Sequence, residues 1–404
     1  MRGARRGIGS VLLFVLACAV PAAASPETRE RTRQGYAHAY DLRFVEALSV
    51  LNAAHRADPK DPAPPLAVAA ITWMEILFAQ GVATFEAFSG HARGESVPRP
   101  AAPAVLRERF LTHVERAIAA SEAYVARQPG NLDAEYQKAA SIGLLALYRS
   151  TVEGRTVAGF REGRRAVAAM ERIQAANPDH RESGLIPGIY RYAVSTLPFH
   201  LRLVAAIGGV GGDRQGGLKL LEQAAEEGAE TATDASLVLM VIYNREGRPQ
   251  DALRHLARLQ RRHPANRLLQ LNTAATALAA GQPALAEREA TPGLQAVLAA
   301  EAPYVAGELG LWLYTRAAAR AAMGHPETSA DLEDCFQSNP REWVRARAHL
   351  LKGRLALRAS HYHAARSHFQ AAGEYGRQAG DEVSIKEATH ELSKVRTGQP
   401  GNAR

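Results

Sequence analysis

The sequence predicts an all-α array of stacked helix-turn-helix repeats, and three observations carry that expectation. The phrase Gly247-Arg248-Pro249-Gln250-Asp251-Ala252 returns 34 residues later as Gly281-Gln282-Pro283-Ala284-Leu285-Ala286, and a looser copy begins at Gly324-His325-Pro326. Five turns share one chemistry: Asp58-Pro59-Lys60-Asp61, Gln128-Pro129-Gly130-Asn131, Asn177-Pro178-Asp179-His180, His263-Pro264-Ala265-Asn266 and Asn339-Pro340-Arg341-Glu342. Apolar residues make up 47% of the chain but aromatic ones only 6%. That is an alanine-rich helical composition, and no stretch alternates with period two as a strand would. A unit of 34 residues cannot bury its apolar face alone, so its partner is the next unit.

Each turn has a local reason. Proline stops the preceding helix, and the Asp or Asn that follows it in most copies can cap the next one. Counting from Ala232 as position zero, Tyr243 falls at 11, Gly247 at 15, Ala252 at 20 and Pro264 at 32. The same rhythm recurs in Gly353, Tyr362, Ala365, Phe369 and Ala372, and in Gly35, Phe44, Ala47, Leu51, Ala54 and Pro59. In period and in residue type these positions resemble the tetratricopeptide repeat (TPR) family. The resemblance implies an α-solenoid of about eight helix-turn-helix pairs forming a right-handed superhelix, with small residues where paired helices touch.

The departures from the repeat outline the domains. Residues 1–24 read as a signal peptide and 25–212 as divergent TPR-like repeats. The stretch near 89–101, rich in Gly, Ser, Pro and charge, is expected as an exposed loop. Residues 213–395 read as regular TPR repeats and 396–404 as a disordered tail. Within the divergent part, 184–212 is an apolar run punctuated by Pro187 and Pro198, with Arg191, His200 and Arg202 interrupting it. It reads as a buried helix pair, with a membrane-surface or apolar-ligand element as the alternative. Together with Gly211-Gly212-Asp213-Arg214 and Gly217-Leu218 it also resembles, over about 184–221, the inclusion-body-clearance family of divergent TPR proteins. That resemblance implies an interaction protein associated with aggregated protein or lipid, with no catalytic residues.

The N-terminus indicates export. Arg2, Arg5 and Arg6 precede an apolar segment over 8–20, and Ala22-Ala23-Ala24 offers a small-residue cleavage site. A second parse takes Val15-Leu16-Ala17-Cys18 as a lipoprotein box that would lipidate Cys18 and tether the chain to an outer membrane, although Leu16 stands where a smaller residue is usual. The expected compartment is the periplasm or cell envelope. Cys335 is the one other cysteine, so neither a disulfide nor a cysteine-based zinc site is expected. The net charge of +8 comes largely from arginines spread along the chain, without an aromatic-plus-basic platform, which argues against nucleic acid as a partner.

The chemistry of catalysis is missing from the sequence. It contains no His-Glu-x-x-His, no Gly-x-Ser-x-Gly and no phosphate loop. His361, His363 and His368 lack a carboxylate spaced to complete a metal site, and Glu387-x-x-His390 stands alone. A non-enzyme without cofactor or metal is expected. The TPR resemblance assigns ligand contacts to positions 2, 5, 6, 9, 12 and 13 of each repeat. Those positions select Tyr36 and Tyr40 in the first repeat, Asn244, Asn272 and Tyr314 in the central ones, and Arg354 in the last clear one. Asparagine amides can grip an extended peptide, and Arg354 can hold a carboxylate. Leu237, Val241 and Leu271 make the groove more apolar than ionic. The expected function is a non-catalytic exported scaffold that binds a protein segment in its concave groove. The alternative is lipid or apolar-ligand binding by a membrane-associated lipoprotein module.

Overall fold

A left-handed turn residue opens each regular hairpin, and it sits where the repeat count places it. In a computed structural model of the chain, Gly247, Gly281 and Gly324 have φ of 69°, 69° and 77°. All three occupy position 15, where the chain must reverse between two helices and a side chain would be strained. Leu42 and Ser360 hold the same position in their repeats at φ 63° and 62°. Pro249 and Pro283 then open the following helices, where the missing N–H costs nothing.

The structure describes residues 26–82, 84, 100–197, 211–299 and 305–397. The signal peptide, Cys18, positions 89–99 of the expected loop, 198–210 of the apolar run and most of the tail lie outside them. Among the described residues there are seventeen α-helices and no strand. They are α1 (Pro26–Tyr40), α2 (Phe44–Ala57), α3 (Ala63–Ala79), α4 (Ala104–Arg127), α5 (Leu132–Thr151), α6 (Thr156–Ala176), α7 (Leu185–Ser195), α8 (Arg214–Glu227) and α9 (Ala232–Arg245). There follow α10 (Pro249–Arg262), α11 (Arg267–Ala279), α12 (Pro283–Leu298), α13 (Glu308–Met323), α14 (Thr328–Gln337), α15 (Glu342–Arg358), α16 (Tyr362–Ala379) and α17 (Glu382–Thr397). Among the described residues, consecutive helices pack as antiparallel neighbours in α1–α2, α5–α6, α7–α8, α11–α12, α13–α14 and α15–α16. No helix of the described residues is long and apolar enough to cross a membrane.

The chain forms two compact units that interleave in sequence. The first comprises residues up to 77, 101–243 and 254–266; the second comprises 78–100, 244–253 and 267 onward. In the first unit α1 packs on α2, α4 on α5, α5 on α6 and α7 on α8. In the second, α11 through α14 pack in succession, as do α15, α16 and α17.

Close helix approach follows from small residues at position 8. A Cβ on Gly35 would lie 2.5 Å from Leu51 Cγ, and one on Gly353 would lie 2.5 Å from Phe369 Cε1. Both contacts join position 8 to position 24 across a hairpin. The apolar segment 185–195 does form a buried helix, α7, packed on α8. Gly188 makes that contact, since its Cβ would meet Leu221 Cγ at 2.9 Å. Helix α3 has no polar face, and from Asp61 to Gln80 only Glu75 and Ala79 escape full burial. Its polar groups are answered locally: Arg109 Nη1 lies 2.7 Å from Glu75, and Trp73 Nε1 donates to Thr151 Oγ1 at 3.0 Å.

The proline turns divide in their chemistry. Asp61 and Asn131 accept from the backbone N–H of Ala63 (2.9 Å) and Ala134 (3.0 Å), as the sequence suggests. Asn266 instead donates its amide to the carbonyl of Tyr40 at 2.7 Å, because the first hairpin lies against it.

Gly353→Ala should destabilise the protein by about 1–3 kcal/mol, since the helix-propensity gain of about 1 kcal/mol is smaller than the cost of displacing a buried ring. Urea unfolding checks this, and adding Phe369→Leu should recover part of the loss.

Candidate functional site

The groove positions lead to one polar cluster in the first unit and to separate polar contacts in the second. In the first unit, Tyr36 and Tyr40 stack at 6.4 Å on α1 and are only 4% and 6% exposed. Tyr40 Oη donates to Asp234 Oδ1 at 2.6 Å, which answers a carboxylate buried at the start of α9. Arg33 places Nε and Nη2 on Glu230 Oε1 at 2.8 and 2.6 Å. Arg33 and Tyr40 are thus bound to residues 197 and 194 positions away. Donors on α1 satisfy Asp234 of α9 and Glu230 just before it, so Tyr40, with Tyr36 stacked on it, is part of an internal contact.

His263 sits on the same cluster. Its ring lies 4.9 Å from Tyr40, its Nε2 is 3.3 Å from Thr233 Oγ1, and its Nδ1 is 3.8 Å from Asp41 Oδ1. The order hydroxyl, imidazole, carboxylate matches a nucleophile-base-acid series, but 3.8 Å is too long for the second hydrogen bond. Burial pushes the imidazole down to about 4, against the opposing pull of Asp41. The ring is therefore neutral near pH 7. Thr233 is buried as well.

The second unit holds the remaining groove candidates. Asn244 Nδ2 donates to Thr276 Oγ1 at 3.0 Å, joining α9 to α11. Asn272, 5% exposed, turns back on its own helix and donates to the carbonyl of Leu268 at 2.8 Å. Tyr314 is half-buried on α13. Arg354 reaches from α15 to α17, with Nε on Glu391 Oε1 at 3.1 Å and Nη2 on Glu387 Oε2 at 3.0 Å. Burial lowers the Arg354 pKa, but the two carboxylates outweigh it and the net value is raised. Burial pushes Glu391 up, and Lys394 and Arg354 bring it below its ordinary range. Arg354 and Glu387 keep 40% and 44% of their side-chain surface, whereas Glu391 keeps 9%. Of the six candidates, Arg354 combines a full charge with solvent access.

Several residues the sequence singled out find other partners. Glu387 of the Glu-x-x-His pair goes to Arg354. His368 does not join His361 and His363 but meets His349 across the α15–α16 hairpin, Nδ1 to Nδ1 at 3.1 Å. The ring centroids are 5.3 Å apart, so the nitrogens point almost straight at each other, the geometry of a hydrogen bond rather than of two ligands converging on one ion. His349 also stacks with Phe336 (4.5 Å) and with Tyr375 (5.5 Å). Sequence reasoning missed His349, whose only signal is the hairpin register that sets it opposite His368. Among the described residues no three His, Cys, Asp or Glu side chains converge to hold a metal ion. Cys335 is buried and its thiol pushed up to about 12 by that burial.

No protein-family model matches the chain, and no curated protein sequence does. Among solved structures, the chain is similar to a tetratricopeptide repeat protein from Parabacteroides merdae at 13% identity, covering 90% of this chain and 100% of that one with a TM-score of 0.28. It is similar to human IFIT1, as a dimer with m7Gppp-AAAA, at 14% identity, covering 96% and 89% of the two chains with a TM-score of 0.45. It is also similar to the human IFIT1 dimer with PPP-AAAA at 14% identity, covering 90% and 81% with a TM-score of 0.32.

Tyr40→Phe should cost about 1–3 kcal/mol by leaving the Asp234 carboxylate without its phenol, read as a lower urea midpoint with an unchanged slope. Stability should also depend on pH. His113, His263 and His349 are each lowered to about 4, with desolvation as the leading cause, from an ordinary 6.5. Between those values the unfolded chain binds protons that the folded chain does not. Stability is therefore complete above pH 6.5 and falls as the pH drops towards 4, by up to about 1.4 kcal/mol per pH unit for each group. Asp61, pushed up to about 6 by burial, opposes this by regaining stability below pH 6. Urea melts at pH 7 and pH 5 measure the net fall, and His263→Gln should reduce it.

Proposed function

We propose that this chain is a non-catalytic helical-repeat scaffold of the cell envelope that binds a protein segment through the α15–α17 face of its second unit. The observation that carries the reading is the Arg354 ion pair. A guanidinium held by one deeply buried carboxylate and one half-exposed carboxylate can exchange the second for a carboxylate of a partner. An exposed pair of this kind contributes little to folding, so displacing Glu387 costs little. Asn244 and Asn272 are engaged in hydrogen bonds on α9 and α11 and are not part of that face.

The non-catalytic reading is supported by the burial of Thr233 and His263 and by the 3.8 Å gap between the imidazole and Asp41, which leave this hydroxyl-imidazole-carboxylate arrangement without an accessible nucleophile or an oriented base. Export and an envelope location rest on the basic, apolar and alanine-rich N-terminal sequence alone. Lipidation of Cys18 remains part of the alternative reading, a membrane-associated lipoprotein module that takes lipid or another apolar ligand.

The experiment is affinity purification from the native cell envelope after mild cross-linking, with wild type and Arg354→Glu in parallel. The expected result is one stoichiometric protein partner that wild type retains and the variant loses by tenfold or more, with unchanged helical circular dichroism. Enriched lipid without a protein partner, or equal recovery by both proteins, would overturn the reading.

A further inference from the structure

Helix α6 is built with two unlike sides. On one side Gly159 and Gly163 press it against its neighbours: a Cβ on Gly159 would lie 2.0 Å from Ser150 Oγ and 2.6 Å from the Ala146 carbonyl, and one on Gly163 would lie 3.4 Å from the Tyr190 ring. On the opposite side, at helical spacing, stand Val157, Arg161, Arg165, Ala168 and Arg172, all exposed. Val157 is 83% exposed, the most open large apolar side chain among the described residues.

The acids of α6 are spent on its flanks. Glu162 pairs with Arg149 of α5, and Glu171 pairs with Arg191 of α7 at 2.5 Å. Arg161, Arg165 and Arg172 have no carboxylate within salt-bridge distance among the described residues, and Arg172 Nη1 falls back on the Ala168 carbonyl at 3.1 Å. The result is a straight stripe about 22 Å long, from Val157 to Arg172, that carries uncompensated positive charge and no acid.

We infer that this stripe is a peripheral membrane contact that docks on anionic phospholipid headgroups. Charge complementarity demands an anionic partner, and the relief of the surface selects among anionic partners. The stripe is a single convex helix with Ala168 between its arginines, so it has no pocket to receive peptide side chains. A plane of laterally mobile headgroups can rearrange to meet each fixed guanidinium, and Val157 offers an apolar tip to the interface. This contact is separate from the Arg354 face and does not depend on it.

The test uses the full chain with vesicles of phosphatidylglycerol and phosphatidylcholine, and with pure phosphatidylcholine vesicles, in co-sedimentation at low ionic strength. Wild type should bind only the anionic vesicles and release in high salt. Each arginine near such a surface multiplies partition about fivefold, so Arg161→Gln/Arg165→Gln/Arg172→Gln should lose about a hundredfold. The charge-reversed triple Arg161→Glu/Arg165→Glu/Arg172→Glu should lose more. A control that reverses Arg56, Arg127 and Lys386, exposed on other helices, should keep most of the binding. Thermal melts of all variants should match wild type, because the substituted side chains are exposed. Absence of vesicle binding by wild type, retention by the glutamine triple, or an equal loss in the control would overturn the inference. Binding to polyglutamate but not to vesicles would overturn it in favour of an acidic protein partner.

Discussion

Every regular hairpin in this chain depends on one residue in the left-handed region at position 15. That conformation reverses the chain within three residues and sets the second helix antiparallel against the first. Only then does position 8 meet position 24, as Gly35 meets Leu51 and Gly353 meets Phe369. Glycine adopts the turn freely in three repeats. Leu42 and Ser360 adopt it under strain, which persists because the surrounding packing over-determines it: Leu42 is buried and its N–H is bonded to the Ala39 carbonyl at 2.9 Å.

A second constraint follows from burying polar groups on the first helices of the pairs. Asp234 and Glu308 are almost fully enclosed. An enclosed carboxylate is tolerated only with strong donors at good geometry. Asp234 has the Tyr40 phenol. Glu308 has both arms of Arg267, at 2.7 and 2.9 Å, and the Trp312 indole at 3.3 Å. Such contacts allow one register only, so they specify which helices meet within each unit as well as holding them. They also consume the side chains that an open groove would offer to a ligand.

What remains for partners is the charge that folding leaves unsatisfied. Asp331 is buried under Arg316 and Arg320, and Asp381 lies under Arg347 while it caps α17. Those arginines are committed. Arg354 is committed only in part, and the stripe on α6 has no carboxylate partner among the described residues, so the two sites differ in what they can recognise. Arg354 can exchange a single carboxylate at a defined geometry. The α6 arginines present repeated charge without a template, which suits a partner that is itself repeated and adaptable.

The sequence by itself determined the all-α repeat fold, because its signals are local. A glycine that must turn left-handed, a proline that must open a helix and a small residue that must face a large one are each written within 34 residues. The same locality let the count place Tyr36, Tyr40 and Arg354 on the first helices of their pairs. It could not say what those side chains meet. Tyr40 finds Asp234, and Arg33 finds Glu230, nearly 200 positions away, and His368 finds His349 rather than its near neighbours. Period and residue type contain no information about such distant pairs. The tertiary structure alone decided which polar residues are buried against each other and which stay open to a partner, because desolvation and hydrogen-bond geometry act only once the helices are packed.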